Sequence, residues 1–254
     1  MYSLRTDGPS TLKPCHMKQT IKLVIFGASG KMGRALLRIA AADHRFDLVA
    51  GVSGSNVPPF EGKVCPLFTI NQLERLPAFD IAIDFTQPEA FEPILKFCKI
   101  RNTALISGTT GLNDQHRERM AETAKDIPVL WASNFSLGVA VLNDLVRRAA
   151  KILETWGVDI IETHHVHKKD APSGTALTLG QSVEQGAGQV PNYVSHREGE
   201  VIGDHTVKFN GPGEFIELRH NALDRDIFVR GALEAAYRLR EKSPGLYQFA
   251  ELIL

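Results

Sequence analysis

Ile21-Lys22-Leu23-Val24-Ile25-Phe26-Gly27-Ala28-Ser29-Gly30-Lys31-Met32-Gly33 is the stretch that decides the fold. The residues through Phe26 are apolar except for Lys22 and rich in β-branched side chains, which at this length reads as a buried strand. Glycines follow at 27, 30 and 33, and Met32 to Ala42 carries Leu36, Leu37, Ile39 and Ala40 at helical spacing. A strand that passes through a glycine turn into a helix is where α/β sheets hold the pyrophosphate of a dinucleotide. The glycines let the backbone close on phosphate, and the helix N-terminus offers free N–H groups and the positive end of its dipole. The spacing is GxxGxxG rather than GxGxxG. The same glycines would serve a tight turn with no ligand; the strand–turn–helix context favours a cofactor at Gly27, Ala28, Ser29, Gly30, Lys31 and Met32.

Outward from this unit, Leu48 to Val52 and Ile81 to Phe85 read as further strands, and a helix runs through Ile94, Leu95 and Phe97. Ala104 to Ile106 and Val129 to Trp131 continue the series. Such alternation implies a parallel sheet with helices on both faces. The pattern changes after about Ser136. A helix is expected from Val139 to Leu153, a strand over Val158 to Ile161, and a helix opening at Ala176. Short glycine-rich β pieces follow at Val201-Ile202, Thr206 to Phe209 and Phe215 to Leu218, while Ala232 to Leu239 and the tail Leu246 to Leu254 read as helical. The expected fold class is α/β: a Rossmann-like parallel-sheet cofactor domain plus a second α+β domain with a mixed sheet.

In dinucleotide sites an acid at the end of the second strand bonds the adenosine ribose of NAD. Here Ser53-Gly54-Ser55-Asn56 stands there, without a carboxylate, and Lys31 and Arg34 lie near the turn. Losing the acid removes a repulsion against a 2′-phosphate, so either NADPH or NADH is expected to bind, with a lean to NADPH and Ser53 in the site. Three later loops, Phe85-Thr86-Gln87, Gly108-Thr109-Thr110-Gly111 and Ala132-Ser133-Asn134-Phe135, fall at carboxyl ends of strands. Their small residues and amides suit a nicotinamide ribose and carboxamide, and ordinary turn chemistry would use the same residue types.

With 29 basic and 29 acidic residues in 254, the chain has no overall electrostatic footprint for nucleic acid. Cys15, Cys65 and Cys98 are sparse and form no CxxC, which fits a reducing compartment; a cytoplasmic protein is expected. No apolar run approaches the roughly 20 residues of a membrane helix. Residues 1–20 are polar, contain Pro9 and Pro14, and read as a disordered extension or as residues ahead of a start at Met17.

The chemistry is concentrated in Glu162-Thr163-His164-His165-Val166-His167-Lys168-Lys169-Asp170-Ala171-Pro172-Ser173-Gly174-Thr175. As metal ligands the histidines are poorly arranged: on a strand His165 and His167 share a face that His164 does not, and no HExxH or CxxC completes a set. A solvated basic surface is the plain alternative. Against it, Pro172, Ser173, Gly174 and Thr175 form a turn at a helix start with free N–H groups, an anion pocket beside His and Lys. Histidine exchanges protons near neutrality, and lysine can donate one and pair with a carboxylate. Beside a hydride donor, these parts imply reduction of a polarised C=C or C=N bond.

The same run resembles the signature E-x-H-H-x-x-K-x-D-x-P-S-G-T-A of the 4-hydroxy-tetrahydrodipicolinate (dihydrodipicolinate) reductases. The pieces Gly27–Gly33, Asp84-Phe85-Thr86, Gly108–Gly111, Asn134-Phe135-Ser136 and Gly203-Asp204-His205-Thr206 agree in order, and the similarity runs from about Ile21 to Leu254. The resemblance implies NAD(P)H-dependent reduction of a cyclic dicarboxylate in lysine and diaminopimelate biosynthesis, with hydride delivered to ring carbon 4 and a proton to its neighbour. It makes His164 a proton donor/acceptor, Lys168 a proton donor, His165 a substrate contact, and Ser173, Gly174 and Thr175 the carboxylate-binding turn. It carries the cofactor over to Gly27–Met32, Gly108–Thr110 and Ala132–Phe135. It also implies a homotetramer built through the second sheet, and a chain end that returns to the first domain. Residues 21–135 and 226–254 would then bind the dinucleotide, and 136–225 would bind substrate and oligomerise. No metal, nucleic acid or membrane is expected.

The sequence departs from this family at Ser53, where many members carry an acid, and between Tyr193 and His205, which is shorter than in longer members. A non-catalytic dinucleotide sensor would not need Lys168 beside His164, and a zinc hydrolase would need ligands that the run does not supply. Another NAD(P)-dependent dehydrogenase of an amino-acid pathway is the nearer alternative.

Overall fold

A computed structural model describes residues 20–54 and 65–254. Residues 1–19 of the expected extension 1–20, Cys15 among them, and Ser55-Asn56 lie outside the described residues. The chain begins with strand β1 (Ile21–Phe26), the glycine turn and helix α1 (Lys31–Ala41), then β2 (Phe46–Ser53), β3 (Leu67–Thr69), a 3-10 turn (Ile70–Arg75) and β4 (Ile81–Asp84). Helix α2 (Pro88–Arg101), β5 (Ala104–Ser107), α3 (Asp114–Thr123) and β6 (Pro128–Trp131) follow. Next come α4 (Leu137–Ile152), β7 (Gly157–His164), α5 (Gly174–Ala187), β8 (Asn192–Arg197), β9 (Gly203–Gly211) and β10 (Glu214–Ala222). Helix α6 (Asp226–Leu239), β11 (Gly245–Tyr247) and α7 (Phe249–Ile253) complete the chain.

The first sheet has seven strands in the order β11-β6-β5-β4-β1-β2-β3, all pairs parallel. Its order reverses between β1 and β4, and that switch point is where an open α/β sheet leaves a crevice at its carboxyl edge. The apolar run of β1 divides between two cores. Ile21, Leu23 and Ile25 pack with α1, α6 and α7, whereas Val24 and Phe26 pack with α2 and α3. From Leu23 on the strand is buried on both faces and so apolar at every position, which is why this run could be read without alternation; Lys22, at its start, is exposed. The fully buried Phe26 and Phe91 each contribute roughly 1.5–3 kcal/mol of burial.

The second sheet has four strands in the order β10-β9-β7-β8 and is mixed: β7 is parallel to β8 and antiparallel to β9. One face is closed by α4 and α5 over Val158, Ile160, Val207 and Phe209. The two expected parts of the fold are therefore both present.

Three expectations fail locally. Val201-Ile202 is not a strand; Val201 instead offers its carbonyl to the N–H of His165 at 2.7 Å, outside any ladder. The tail is not helical from Leu246, because Gly245–Tyr247 adds an edge strand beside β6 before α7 begins. Three residues are too few to display a period, so the apolar tail looked like one helix. The sheet strand also ends at His164, with Val166 and His167 in a turn, so strand alternation does not govern His165 and His167.

Candidate active site

A cleft of about 650 Å³ opens between the carboxyl edge of the first sheet and the β7–α5 segment. Its first wall is the glycine turn with the loops after β4, β5 and β6. Gly27 has φ +81°, and a Cβ there would stand 2.6 Å from the carbonyl oxygen of Phe85. A Cβ on Gly33 would stand 2.0 Å from the carbonyl oxygen of Gly27. These glycines bring α1 onto the turn and the turn onto the β4 loop. Gly30 caps α1 without a side-chain hydrogen bond, so the first-turn N–H groups remain available to an anion. That is the fit expected for a pyrophosphate.

Asp84 ties two of the loops together from beneath. Its carboxylate accepts from Thr86 Oγ1 at 2.6 Å, Thr86 N at 2.9 Å, Ser107 Oγ at 2.8 Å and Thr109 Oγ1 at 2.9 Å. Burial pushes the Asp84 carboxyl up from its ordinary range, against these hydrogen bonds. Trp131 Nε1 donates to the carbonyl of Thr109 at 2.8 Å and so joins the third loop. Phe135 packs between Phe85 and Phe249, with ring centroids 5.7 and 5.2 Å away. A Cβ on Gly231 would reach within 1.7 Å of the Phe135 carbonyl oxygen, so α6 lies directly on this loop.

The second wall is the histidine–lysine run. His164 ends β7 and is 7% exposed, with Nδ1 hydrogen-bonded to the Glu162 carboxylate on the same strand face. Burial holds the His164 imidazole below its ordinary pKa, and Glu162 pulls in the opposite direction. Glu162 itself is held low: burial would raise it, but hydrogen bonds from Ser195, His164 and Arg197 outweigh that. Lys168 pairs with Asp170 at 2.8 Å. Ser173 caps α5, its Oγ accepting from Ala176 N at 3.2 Å and lying 3.0 Å from His205 Nε2. Asn134 crosses the cleft, donating from Nδ2 to Thr175 Oγ1 at 2.9 Å, so the walls are bonded directly.

Of the residues expected in the site, Gly30, Lys31, Met32, Phe85, Thr86, Gly108, Thr110, Ser133, Asn134 and Phe135 line this cleft together with His164, His165, Lys168, Ser173, Gly174 and Thr175. Gly27, Ala28, Ser29, Thr109 and Ala132 do not line it; Ala28 and Thr109 are buried, and Ser29 is exposed. Ser53 is buried at the end of β2. His167 and Lys169 are exposed, as solvated neighbours would be. Gln87 of the expected Phe85–Gln87 loop also lines it, whereas Asp170, Thr178, Ile202, Arg225 and Phe228 of the lining were missed in the sequence as site residues. The buried Glu162 and His205 and the half-buried Arg197, which support the site, were also missed as working residues. Glu162 stood in the quoted run, and its i, i+2 spacing from His164 on a strand was the available signal.

Ligand atoms of Glu162, His164 and His205 lie within 4.8 Å of one another. This is a different trio from the His164, His165 and His167 set weighed in the sequence. Glu162 and His164 already satisfy each other, and the Arg197 guanidinium sits 3.1 Å from the same carboxylate. A cation there would have to displace one positive charge and break a buried hydrogen bond.

Hydride chemistry needs the first wall and proton chemistry the second; a chain that brings both to one cleft is a nicotinamide-dependent oxidoreductase. Residues 21–135 match the family model described as Dihydrodipicolinate reductase, N-terminus, and residues 138–253 match Dihydrodipicolinate reductase, C-terminus. The chain belongs to the dihydrodipicolinate reductase family.

It is 52% identical over 234 residues to the 4-hydroxy-tetrahydrodipicolinate reductase of Xanthomonas campestris pv. campestris (strain B100), covering 92% of this chain and 98% of that one. It is 50% identical over 239 residues to the enzyme of the same name from Stenotrophomonas maltophilia (strain R551-3), covering 93% and 100%. Among solved structures, dipicolinate-bound dihydrodipicolinate reductase from Paenisporosarcina sp. TG-14 superposes with a TM-score of 0.81 at 24% identity, covering 93% of this chain and all of that one. At that identity the likeness speaks for the fold. Among the described residues, no helix is long and apolar enough to cross a membrane.

Proposed function

We infer that this chain catalyses the NAD(P)H-dependent reduction of 4-hydroxy-tetrahydrodipicolinate to tetrahydrodipicolinate, in the diaminopimelate route of lysine biosynthesis. The observation that carries this reading is the 52% identity to a reductase of that name over 92% of the chain. A cleft with a phosphate-binding turn on one wall and His164 and Lys168 on the other supports it.

The nicotinamide, when bound, supplies the hydride, delivered to ring carbon 4 after water leaves. The chain's own residues do the rest. The glycine turn Gly27–Met32 holds the pyrophosphate, and Phe85, Thr86, Gly108–Thr110 and Ala132–Phe135 hold the nicotinamide half. The N–H groups of Gly174 and Thr175 precede the first intrahelical bond of α5 and take a substrate carboxylate. Space above Gly174 is open, a Cβ there meeting nothing within 4 Å. His165, whose buried Nδ1 has no hydrogen-bond partner among the described residues, takes the other polar end of the substrate. Asp170 steadies the Lys168 ammonium, which with His164 supplies the proton to the neighbouring carbon. A bound dicarboxylate adds negative charge beside His164 and so favours its protonated form.

Residues 21–135 and 226–254 form the dinucleotide-binding domain, and 136–225 the substrate-binding and oligomerisation domain. Val229, Leu233, Leu239, Phe249 and Leu252 all pack in the first sheet's core, which supports that return of the chain. NADPH is preferred over NADH, because Ser53 sets no carboxylate against the 2′-phosphate of the adenosine ribose. The protein works in the cytoplasm as a homotetramer joined through the face of the second sheet turned away from α4 and α5. Strand alternation puts Ile161, Val194 and Phe215 on that face, with Val194 41% and Phe215 58% exposed.

Coupled to dihydrodipicolinate synthase, the protein should consume NADPH or NADH with loss of nicotinamide absorbance. Folded protein that turns over neither cofactor would refute the reading, and the ratio of kcat/KM for the two cofactors decides the preference.

A further inference from the structure

His164 closes β7 and Lys168 sits on the loop that follows, yet neither is placed by its own segment alone. Glu162, 1% exposed, spends one carboxylate oxygen on His164 Nδ1 and the other on Arg197 Nη1 at 3.1 Å. Arg197 is the β8 register partner of His164. Its remaining nitrogens reach back to the loop: Nη2 donates to the Asp170 carbonyl at 2.6 Å and Nε to the Lys168 carbonyl at 3.3 Å. One guanidinium thus fastens the carboxylate behind the histidine and the backbone that carries the lysine. Occupying Nδ1 leaves Nε2 as the reactive nitrogen of His164. Gly203 keeps that nitrogen clear: a Cβ there would stand 3.1 Å from Nε2.

We propose that Glu162 and Arg197 are positioning residues for the proton transfer. Glu162 holds His164 as the Nδ1–H tautomer with Nε2 turned to the substrate, and Arg197 ties that carboxylate to the Lys168 loop. The logic is that of any carboxylate behind a catalytic imidazole: it fixes ring orientation and tautomer and stabilises the imidazolium, without itself taking a proton. In the step, the Nε2–H bond of the His164 imidazolium breaks and its proton passes to the ring carbon. Nδ1–H stays on Glu162, and His164 is reprotonated from water. The charged and titratable groups facing His164 are Glu162 on its own strand, Arg197 on β8, His205 on β9, and Lys168 and Asp170 on the loop. Burial first, then Lys168 and Arg197, disfavours the imidazolium, and among the partners of His164 Glu162 is the one that favours it most.

The inference rests on His164 being a proton donor, so the experiment carries His164→Gln as its reference. In Glu162→Gln, kcat should fall about 10²–10³-fold with KM for NADPH within about twofold. The alkaline limb of the kcat/KM profile should move about one unit or more to lower pH, the effect of removing a neighbouring opposite charge. Arg197→Lys, which keeps the charge but loses the fork, should lower kcat about tenfold or more and leave that limb in place. In wild-type protein with ¹⁵N-labelled histidine, the neutral His164 resonances, assigned by their loss in His164→Gln, should report Nδ1–H.

A Glu162→Gln limb that does not move, or an Nε2–H tautomer in the wild type, overturns the role of Glu162 even if His164→Gln is dead. Wild-type kcat in Arg197→Lys overturns the role of Arg197. Wild-type kcat in His164→Gln overturns the proton-donor reading and this one with it. Should Glu162→Gln not fold, the wild-type tautomer alone decides.

Discussion

His205 makes the protein acid-sensitive by an amount that can be worked out. The side chain is 4% exposed on β9, bonded through Nε2 to Ser173 Oγ, and its pKa is pushed down from 6.5 to about 4, first by burial and then by the charge of His164. The unfolded chain binds a proton near pH 6.5, and the folded chain only near pH 4. The stability associated with neutral His205 is therefore intact above pH 6.5 and is lost as pH falls toward 4. At about 1.4 kcal/mol per pH unit the full loss is about 3 kcal/mol, and between pH 8 and pH 5 it is about 2 kcal/mol.

For a chain of this size that is about 4–8 °C in Tm. His205→Gln keeps a polar contact for Ser173 and removes the titration. Thermal unfolding of both proteins at pH 8 and pH 5, at equal protein concentration, gives the comparison. Wild type should lose about 4–8 °C more than the variant. His164 and His220, also held low by burial, titrate in both proteins and largely cancel. Equal losses in the two proteins would show that His205 is not buried neutral, and the reasoning would fail.

Three further outcomes follow from the cleft. Lys168→Ala and His164→Ala should each lower kcat about 10²–10⁴-fold while NADPH affinity, read by fluorescence titration, stays within about threefold; near-wild-type kcat in both removes them from proton transfer. Asp84→Ala orphans the buried hydroxyl of Ser107, at about 1–3 kcal/mol, and leaves Thr109 Oγ1 only the Thr86 carbonyl at 3.4 Å, so it should lower Tm and weaken NADPH binding, whereas Asp84→Asn, which can still accept, should do less. Ser53→Glu should move the kcat/KM ratio toward NADH, because a carboxylate at the end of β2 repels a 2′-phosphate and accepts from a ribose hydroxyl; an unchanged ratio would place cofactor choice elsewhere.

Much of this molecule was legible in the chain. The first sheet's strands are largely apolar because both of their faces are covered, and Gly27 and Gly33 mark points of a turn where a Cβ would run into backbone. The run from Glu162 to Thr175 announced proton donors beside an anion turn because strand end, loop and helix start are consecutive in sequence. Strand β8, Asn-Tyr-Val-Ser-His-Arg, was invisible as a strand: it is an edge strand with mostly exposed side chains, so it shows no burial period. Helix α3 is polar on most of its surface, and β3 and β11 are three residues each.

The sequence by itself determined the kinds of parts: a phosphate turn, a histidine–lysine run, a capped anion turn and a parallel sheet to carry them. These depend on residue type and short-range spacing, and local sterics and hydrogen bonding dictate them. Only the tertiary structure decided how the parts meet. It set Arg197 beside Glu162, 35 positions away, and Ser173 against His205, 32 away. It set Asn134 against Thr175, 41 away. Register between β7 and β8 fixes the first pair, and the packing of α5 against the second sheet and across the cleft fixes the other two; both depend on whole faces, which no local window of residues contains.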